Sequence, residues 1–207
     1  MLLRVANLVY LASVSLCGAS APHGWRLDVK FHDPQRITLR LPGDTHDTTF
    51  WYMLYEATNA TGRDVEFFPS FRLVTDTLHV VTAGDDISPS VYDAIVARHK
   101  QEFPFLAPPT KITGLLLQGR ENARASAAVF RMFDKEASAF TVYGAGFSGD
   151  VDRVPNPSFD TTQQESKANP RFFLLRGTLA VVYDLPGDVD TRQRAKPIRR
   201  TRKWLLQ

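Results

Sequence analysis

Cysteine is almost missing from this chain of 207 residues: its single copy, Cys17, lies within the first twenty. Without a second thiol there is no disulfide framework, no zinc-thiolate centre and, in the body of the protein, no cysteine nucleophile. Cys17 is also a poor lipid-attachment site, because that processing requires a small residue before it and Leu16 is not small. Long apolar runs are missing too. The stretch at residues 8–16 is interrupted too soon for a membrane helix. No serine sits in GxSxG and HExxH does not occur. The 22 acidic residues are scattered without an evident catalytic pair. Acids are absent after Asp190, where basic residues take over.

At the amino terminus, Arg4, the apolar stretch and Ala19-Ser20-Ala21 together have the pattern of an export signal with a small-residue cleavage site. The expected organisation is a signal peptide at residues 1–21, a β-sandwich domain at 22–191 and a basic C-terminal tail at 192–207. The expected location is exported, periplasmic or extracellular, with association to the cell envelope. Residues 22–191 carry 17 Lys and Arg against 22 Asp and Glu, whereas the seven basic residues between 192 and 203 face no acid. The high isoelectric point therefore belongs to the tail and not to the body.

Apolar and polar residues alternate over 25–31 and 36–41, the period of half-buried strands. Residues 48–58 (TTFWYMLYEAT) and 65–74 flank Asn59-Ala60-Thr61-Gly62-Arg63, which predicts a hairpin. Further strands are expected at 78–82, 112–118, 125–133, 139–146 and 172–183, and a long surface loop at 151–170. One helix is expected at about 88–102, with Ser88 as N-cap, Pro89 first, and Val91, Ile95, Val96 and His99 on one face. The fold class is thus mainly β, an antiparallel sandwich of about eight strands with one helix insertion.

The segment WYMLYEATNATGRDVEFFPSFRLVTDT resembles the adjacent-strand hairpin of exported bacterial proteins with immunoglobulin-like sandwiches, in which an aromatic strand, an N-x-T-G-x-D turn and an apolar strand recur. ITGLLLQGRENARASAAVF and RFFLLRGTLAVVYDLPGD are similar to parts of an uncharacterised family of exported bacterial proteins. The likeness spans residues 50–188. It implies an immunoglobulin-like β-sandwich and an exported compartment, and no particular activity.

Among motifs with chemical potential, residues 144–149 spell GxGxxG, but Asp150 to Pro155 cannot supply the helix that a dinucleotide site needs, so a strand end or bulge is expected. If processing made His23 the first residue, its amine and imidazole could bind copper with His46, His79 or His99, as copper-dependent polysaccharide oxygenases do on sandwich scaffolds. Asp44, His46 and Asp47, and likewise Asp85 and Asp86, lack the spacing of a calcium loop. Turn capping is expected for the first group, and for Asp86 a charge complementing the helix dipole. Asn59-Ala60-Thr61 is a formal glycosylation sequon read here as turn chemistry. LPGD occurs at 41–44 and 185–188, each copy suiting a type II turn.

The strongest electrostatic feature is the basic run. Arg192, Arg194, Lys196, Arg199, Arg200, Arg202, Lys203 and Trp204 are candidates for binding an anionic surface, unless the run is a solvated arm or an ordered edge segment lying on the acidic body. The expectation is an envelope-associated binding or structural module whose partner is an envelope protein, an anionic surface polymer or a membrane. No nucleic acid, cofactor or metal is expected. The alternative is an enzyme on the same scaffold, a copper oxygenase using His23 or a carboxylate hydrolase.

Overall fold

The computed structural model describes residues 24–207. The expected signal peptide, Cys17 and His23 lie outside the described residues. The aromatic run at 48–58 forms the centre of the fold. It makes up most of β3 (Thr48–Asn59), whose side chains alternate between two apolar clusters. Trp51, Met53, Tyr55 and Ala57 enter one cluster, and Phe50, Tyr52 and Leu54 enter the other. A strand covered on both faces has no solvent-facing positions, so its sequence is continuously apolar instead of alternating.

β1 (Asp28–Phe31) and β2 (Gln35–Leu39) pair antiparallel with the two halves of β3 as one strand broken around Pro34, which has no N–H to give to a ladder. β8 (Gly119–Arg131) pairs with the opposite edge of β3 and completes the first sheet. Its outer face is covered by α1 (Pro89–His99), which buries Val91, Ile95 and His99 against the second cluster. Ser88 and Pro89 occupy the expected cap positions, but the Ser88 hydroxyl bonds that of Ser90 at 2.9 Å instead of a helix amide. The first turn of α1 holds no acidic residue; Asp86 pairs with Arg131 at 3.2 Å rather than complementing the helix dipole.

The second sheet runs in the order β6 (Val80–Thr82), β5 (Ser70–Thr75), β9 (Ala139–Ala145), β11 (Phe172–Asp184), β12 (Ile198–Leu206), with every neighbouring pair antiparallel. Its inner face packs on the first sheet through Phe71, Leu73, Phe140, Val142, Leu179 and Val181. β10 (Val151–Pro155) pairs with the first half of β11, residues 172–176. Backbone amides fix its side. Arg176 exchanges bonds of 2.8 and 3.2 Å with Gln207, whereas Gly177 donates to the Asp150 carbonyl at 2.8 Å. Consecutive peptide groups point to opposite edges of a strand, so β10 lies on the β9 edge, and β9 and β10 are one strand interrupted at 146–150. A short third sheet pairs β4 (Val65–Phe67) with β7 (Gly114–Leu116), beside α2 (Pro109–Ile112). No helix among the described residues is long and apolar enough to cross a membrane.

The protein is therefore mainly antiparallel β in several sheets, as expected, with more and shorter strands than the eight anticipated because several are broken. The hairpin expected between 48–58 and 65–74 does not form: β3 belongs to the first sheet, β4 to the third and β5 to the second. Asn59 is the reason. Its Nδ2 donates to the carbonyls of Arg63 and Leu116 at 2.8 and 2.9 Å, and its Oδ1 accepts from the Thr61 amide and hydroxyl at 3.0 and 2.8 Å. Asp64 then accepts from the Gln118 amide at 3.0 Å. The N-x-T-G-x-D segment ties the chain to β7 and redirects it between sheets.

Three other expectations need correction. Leu78 has φ 67° and lies in an exposed turn, so the strand expected from 78 starts at Val80. Residues 151–155 are strand β10 and not the start of a loop. The basic C-terminal run is an edge strand of the second sheet for residues 198–206, not a segment separate from it, because β11 offers it a full ladder. The two LPGD copies also differ. Asp44 closes a turn onto the Leu41 carbonyl at 3.0 Å with Gly43 at φ 89°, but the Asp188 amide bonds Thr191 Oγ1 at 3.1 Å.

Candidate functional site

Most of the basic run is engaged in holding the fold closed. Arg199 grips Asp33 at 2.5 and 2.9 Å, and Arg202 donates to the Val29 carbonyl at 2.8 Å with its guanidinium over the Phe31 ring. Trp204 is half-buried against the core, with Arg26 over its ring at 5.2 Å. These side chains span the seam between the β1 edge of the first sheet and the β12 edge of the second. Burial alone would lower the pKa of Arg199, but the bond to Asp33 together with the charge of Asp33 and the Tyr183 hydroxyl outweighs it and holds the guanidinium above its usual value. Arg200 pairs with Asp184, Arg192 donates to the Glu136 carbonyl at 2.7 Å, and the carbonyl of Arg194 accepts from Arg36. Lys196 lines a cleft with Arg36 and Arg98 beside the β1–β2 break. On the outer face of the second sheet lie Lys203, opposite Ala180, and Arg200, which is held there by Asp184.

That outer face is built by strand alternation. Leu179, Val181 and Tyr183 enter the core, so Phe172, Leu174, Arg176, Thr178 and Ala180 face away from it. Register carries the surface across the sheet: Ala180 stands between Tyr143 and Lys203, and Tyr143 stands beside Arg72. Thr178, only 3% exposed, lies on the floor of a groove of about 670 Å³, and Ala180 beyond it is 1% exposed. Its walls include Arg72, Tyr143, Arg176, Ser70 and Gln207, and no Asp or Glu side chain lines it among the described residues. Arg72, Arg176 and Lys203 form no ion pair among the described residues. Among the described residues, the Asp side chains of this face lie at the opposite end of the strands. There Asp184 is paired with Arg200, and Asp76 accepts from the Ser138 hydroxyl and amide. Burial opposes ionisation of Asp76, but these bonds prevail and hold its carboxyl below the usual range.

The face continues onto the ribbon of β10 and the first half of β11, where Val151, Arg153 and Pro155 stand beside Arg176, Leu174 and Phe172. Arg153 and Arg171 both lie over the Phe172 ring, at 5.5 and 5.7 Å. Such a surface can hold anions by unpaired guanidinium and ammonium groups and offer rings and apolar side chains beside them. Of its unpaired cations the sequence flagged only Lys203. Arg72 and Arg176 sit at alternate positions of otherwise apolar strands, and that interruption was the available signal.

The other sequence candidates are dispersed. His46 bonds Thr45 in the β2–β3 loop, His79 accepts from the Asp134 amide at 3.1 Å, and His99 on α1 bonds Tyr52 at 2.9 Å. No three His, Cys, Asp or Glu side chains converge to hold a metal ion among the described residues. The GxGxxG stretch is the interruption between β9 and β10, where a Cβ on Gly146 would run into the Phe68 carbonyl and one on Gly149 into Trp25. Asp47 pairs with Arg40 at 2.8 Å. No protein-family model, characterised protein or solved structure matches the chain.

Proposed function

We propose that this protein is an exported, envelope-associated binding module with an immunoglobulin-like sandwich, and that the outer face of its second sheet takes an anionic surface component. The observation that supports this most is the groove between Arg72 and Arg176, free of Asp and Glu side chains, with Tyr143 on its wall and the buried Thr178 on its floor. The body of the protein carries more acid than base, so a groove with two arginines and no Asp or Glu side chain stands out against its surroundings. Arg199, Arg200 and Arg202 are bound within the fold and take no part.

The test is binding of the full chain to soluble polyphosphate at low and high salt. Replacing Arg72 and Arg176 together by Gln is expected to weaken binding by about tenfold or more, with the loss shrinking as salt screens both proteins. Replacing Arg200 by Gln removes the same kind of charge from a paired position and is expected to leave affinity nearly unchanged. Equal affinity of the Arg72/Arg176 variant and the parent would remove the basis for this function.

A further inference from the structure

The ribbon of β10 with residues 172–176 is the least explained part of the molecule. Val151, Val154, Phe172, Phe173 and Leu174 are 38% to 50% exposed, crowded into ten ladder residues. Exposed apolar patches of this density mark interaction sites. Three features narrow the occupant.

First, the free edge of β10 is largely blocked. Gly177 bonds Asp150, so the peptide groups of Asp152 and Val154 point at β11 and those of Val151, Arg153 and Pro155 point outward. Pro155 has no N–H, and the Arg153 N–H is taken at 2.8 Å by the Asp152 carboxylate. Of the three outward positions only Val151 can offer a strand from a partner or a second copy an N–H, so the ribbon is open by its faces more than by its edge.

Second, both faces are apolar. Phe172, Leu174 and Val151 lie on the face continuous with the groove, and Phe173 and Val154 lie on the reverse. A docked protein surface would cover one side and leave the other wet. A lipid interface, which surrounds what enters it, covers both. The connecting loop at 156–171 suits this placement because it folds on itself. Asn156 donates to the Pro170 carbonyl at 2.7 Å, and Asn169 both donates to the Asp160 carbonyl and accepts from the Asp160 amide, at 3.0 and 2.9 Å.

Third, the charges match. Arg153, Arg171 and Arg176 flank the apolar residues, and the one carboxylate of β10, Asp152, is bound to its neighbour's amide. Stacking over Phe172 lets the guanidiniums stay at headgroup level while the rings and aliphatic chains go deeper.

We infer that the anionic component is a lipid surface and that the ribbon enters its interface. This rests on the anion-binding function proposed above and names the partner of the same face. The full chain is to be mixed with vesicles of equal parts phosphatidylcholine and phosphatidylglycerol, with vesicles of phosphatidylcholine alone, and with soluble polyphosphate. Partitioning to the anionic vesicles only is expected. Phe172→Ser with Leu174→Ser, both on exposed positions, is expected to lower that partitioning about tenfold or more while polyphosphate binding is unchanged. Arg72→Gln with Arg176→Gln is expected to weaken both. If the parent binds polyphosphate but no vesicles, or the serine variant partitions like the parent, the lipid inference falls and the anion-binding function stands. If the parent binds neither, both fall.

Discussion

The two large sheets are built from similar strands yet are covered differently. The first is enclosed, with the second sheet on its inner face and α1 on its outer face. The second is enclosed on its inner face only. In the first sheet burial follows polarity, and β3 is apolar because both its faces are dry. In the second, polarity and burial part company within one strand. Thr178 of β11 is 3% exposed, while Phe173 and Leu174 of the same strand are 46% and 50% exposed. Where a fold buries a threonine and leaves a phenylalanine half in water, something other than folding decides the sequence.

The comparison breaks most sharply in the core shared by the sheets. The Phe147 ring lies 5.5 to 6.1 Å from those of Phe31, Tyr55, Phe67 and Phe71, so Phe147→Ala is expected to cost about 3–5 kcal/mol in urea unfolding. Ile95→Ala, which removes only the helix contact on the first sheet, is expected to cost about 2–4 kcal/mol. Tyr143→Ser on the uncovered face is expected to change stability by less than about 0.5 kcal/mol. A cost for Tyr143→Ser near that of Ile95→Ala would mean that the outer face is covered in the folded chain and would erase the distinction between the sheets.

A smaller effect tests the joint between the sheets. Asn59 is 1% exposed and spends its whole amide on four bonds, so Asn59→Ala strands the Leu116 carbonyl and is expected to cost about 1–3 kcal/mol. Thr61→Ala, which removes one hydroxyl from the same loop, should cost distinctly less. Equal losses for the two variants would show that loop conformation, not the tie to β7, holds the crossover.

Much of the architecture was legible in the sequence where a single physical rule governed it. Alternation marked β2, apolar and aromatic runs between turn residues marked β3, β8, β9 and β11, and Ser88-Pro89 marked the start of α1. Pairing partners were not legible. The loop after β3 has the residues of a hairpin turn, and only the reach of Asn59 to Leu116, 57 positions away, makes it a crossover. The basic run was legible as charge but not as structure, since the acceptors of Arg199 and Arg202, Asp33 and the Val29 carbonyl, lie far earlier in the chain. The groove was illegible for the same reason: Arg72, Tyr143 and Arg176 come from three strands brought together by register alone.

The smallest effect concerns a proton within the enclosed half. His99 is buried, with Nε2 bonded to the Tyr52 hydroxyl at 2.9 Å, and that hydroxyl donates to Gln35 Oε1 at 3.0 Å. Burial, and next the Arg98 cation, lower its pKa below the ordinary 6.5; Glu102 pulls upward, and His32 adds to the lowering. The folded state therefore prefers neutral imidazole, while the unfolded chain takes up a proton near the ordinary value. The resulting stabilisation is complete above that value and is lost as pH falls from it toward the lowered folded pKa. His99→Gln retains a polar group for Tyr52 and removes the titration, so its urea midpoint should fall less than the parent's between about pH 7 and pH 5. The outer face contains no histidine among its groove residues. Equal slopes for parent and variant would therefore move the pH response off the helix-covered side of the first sheet.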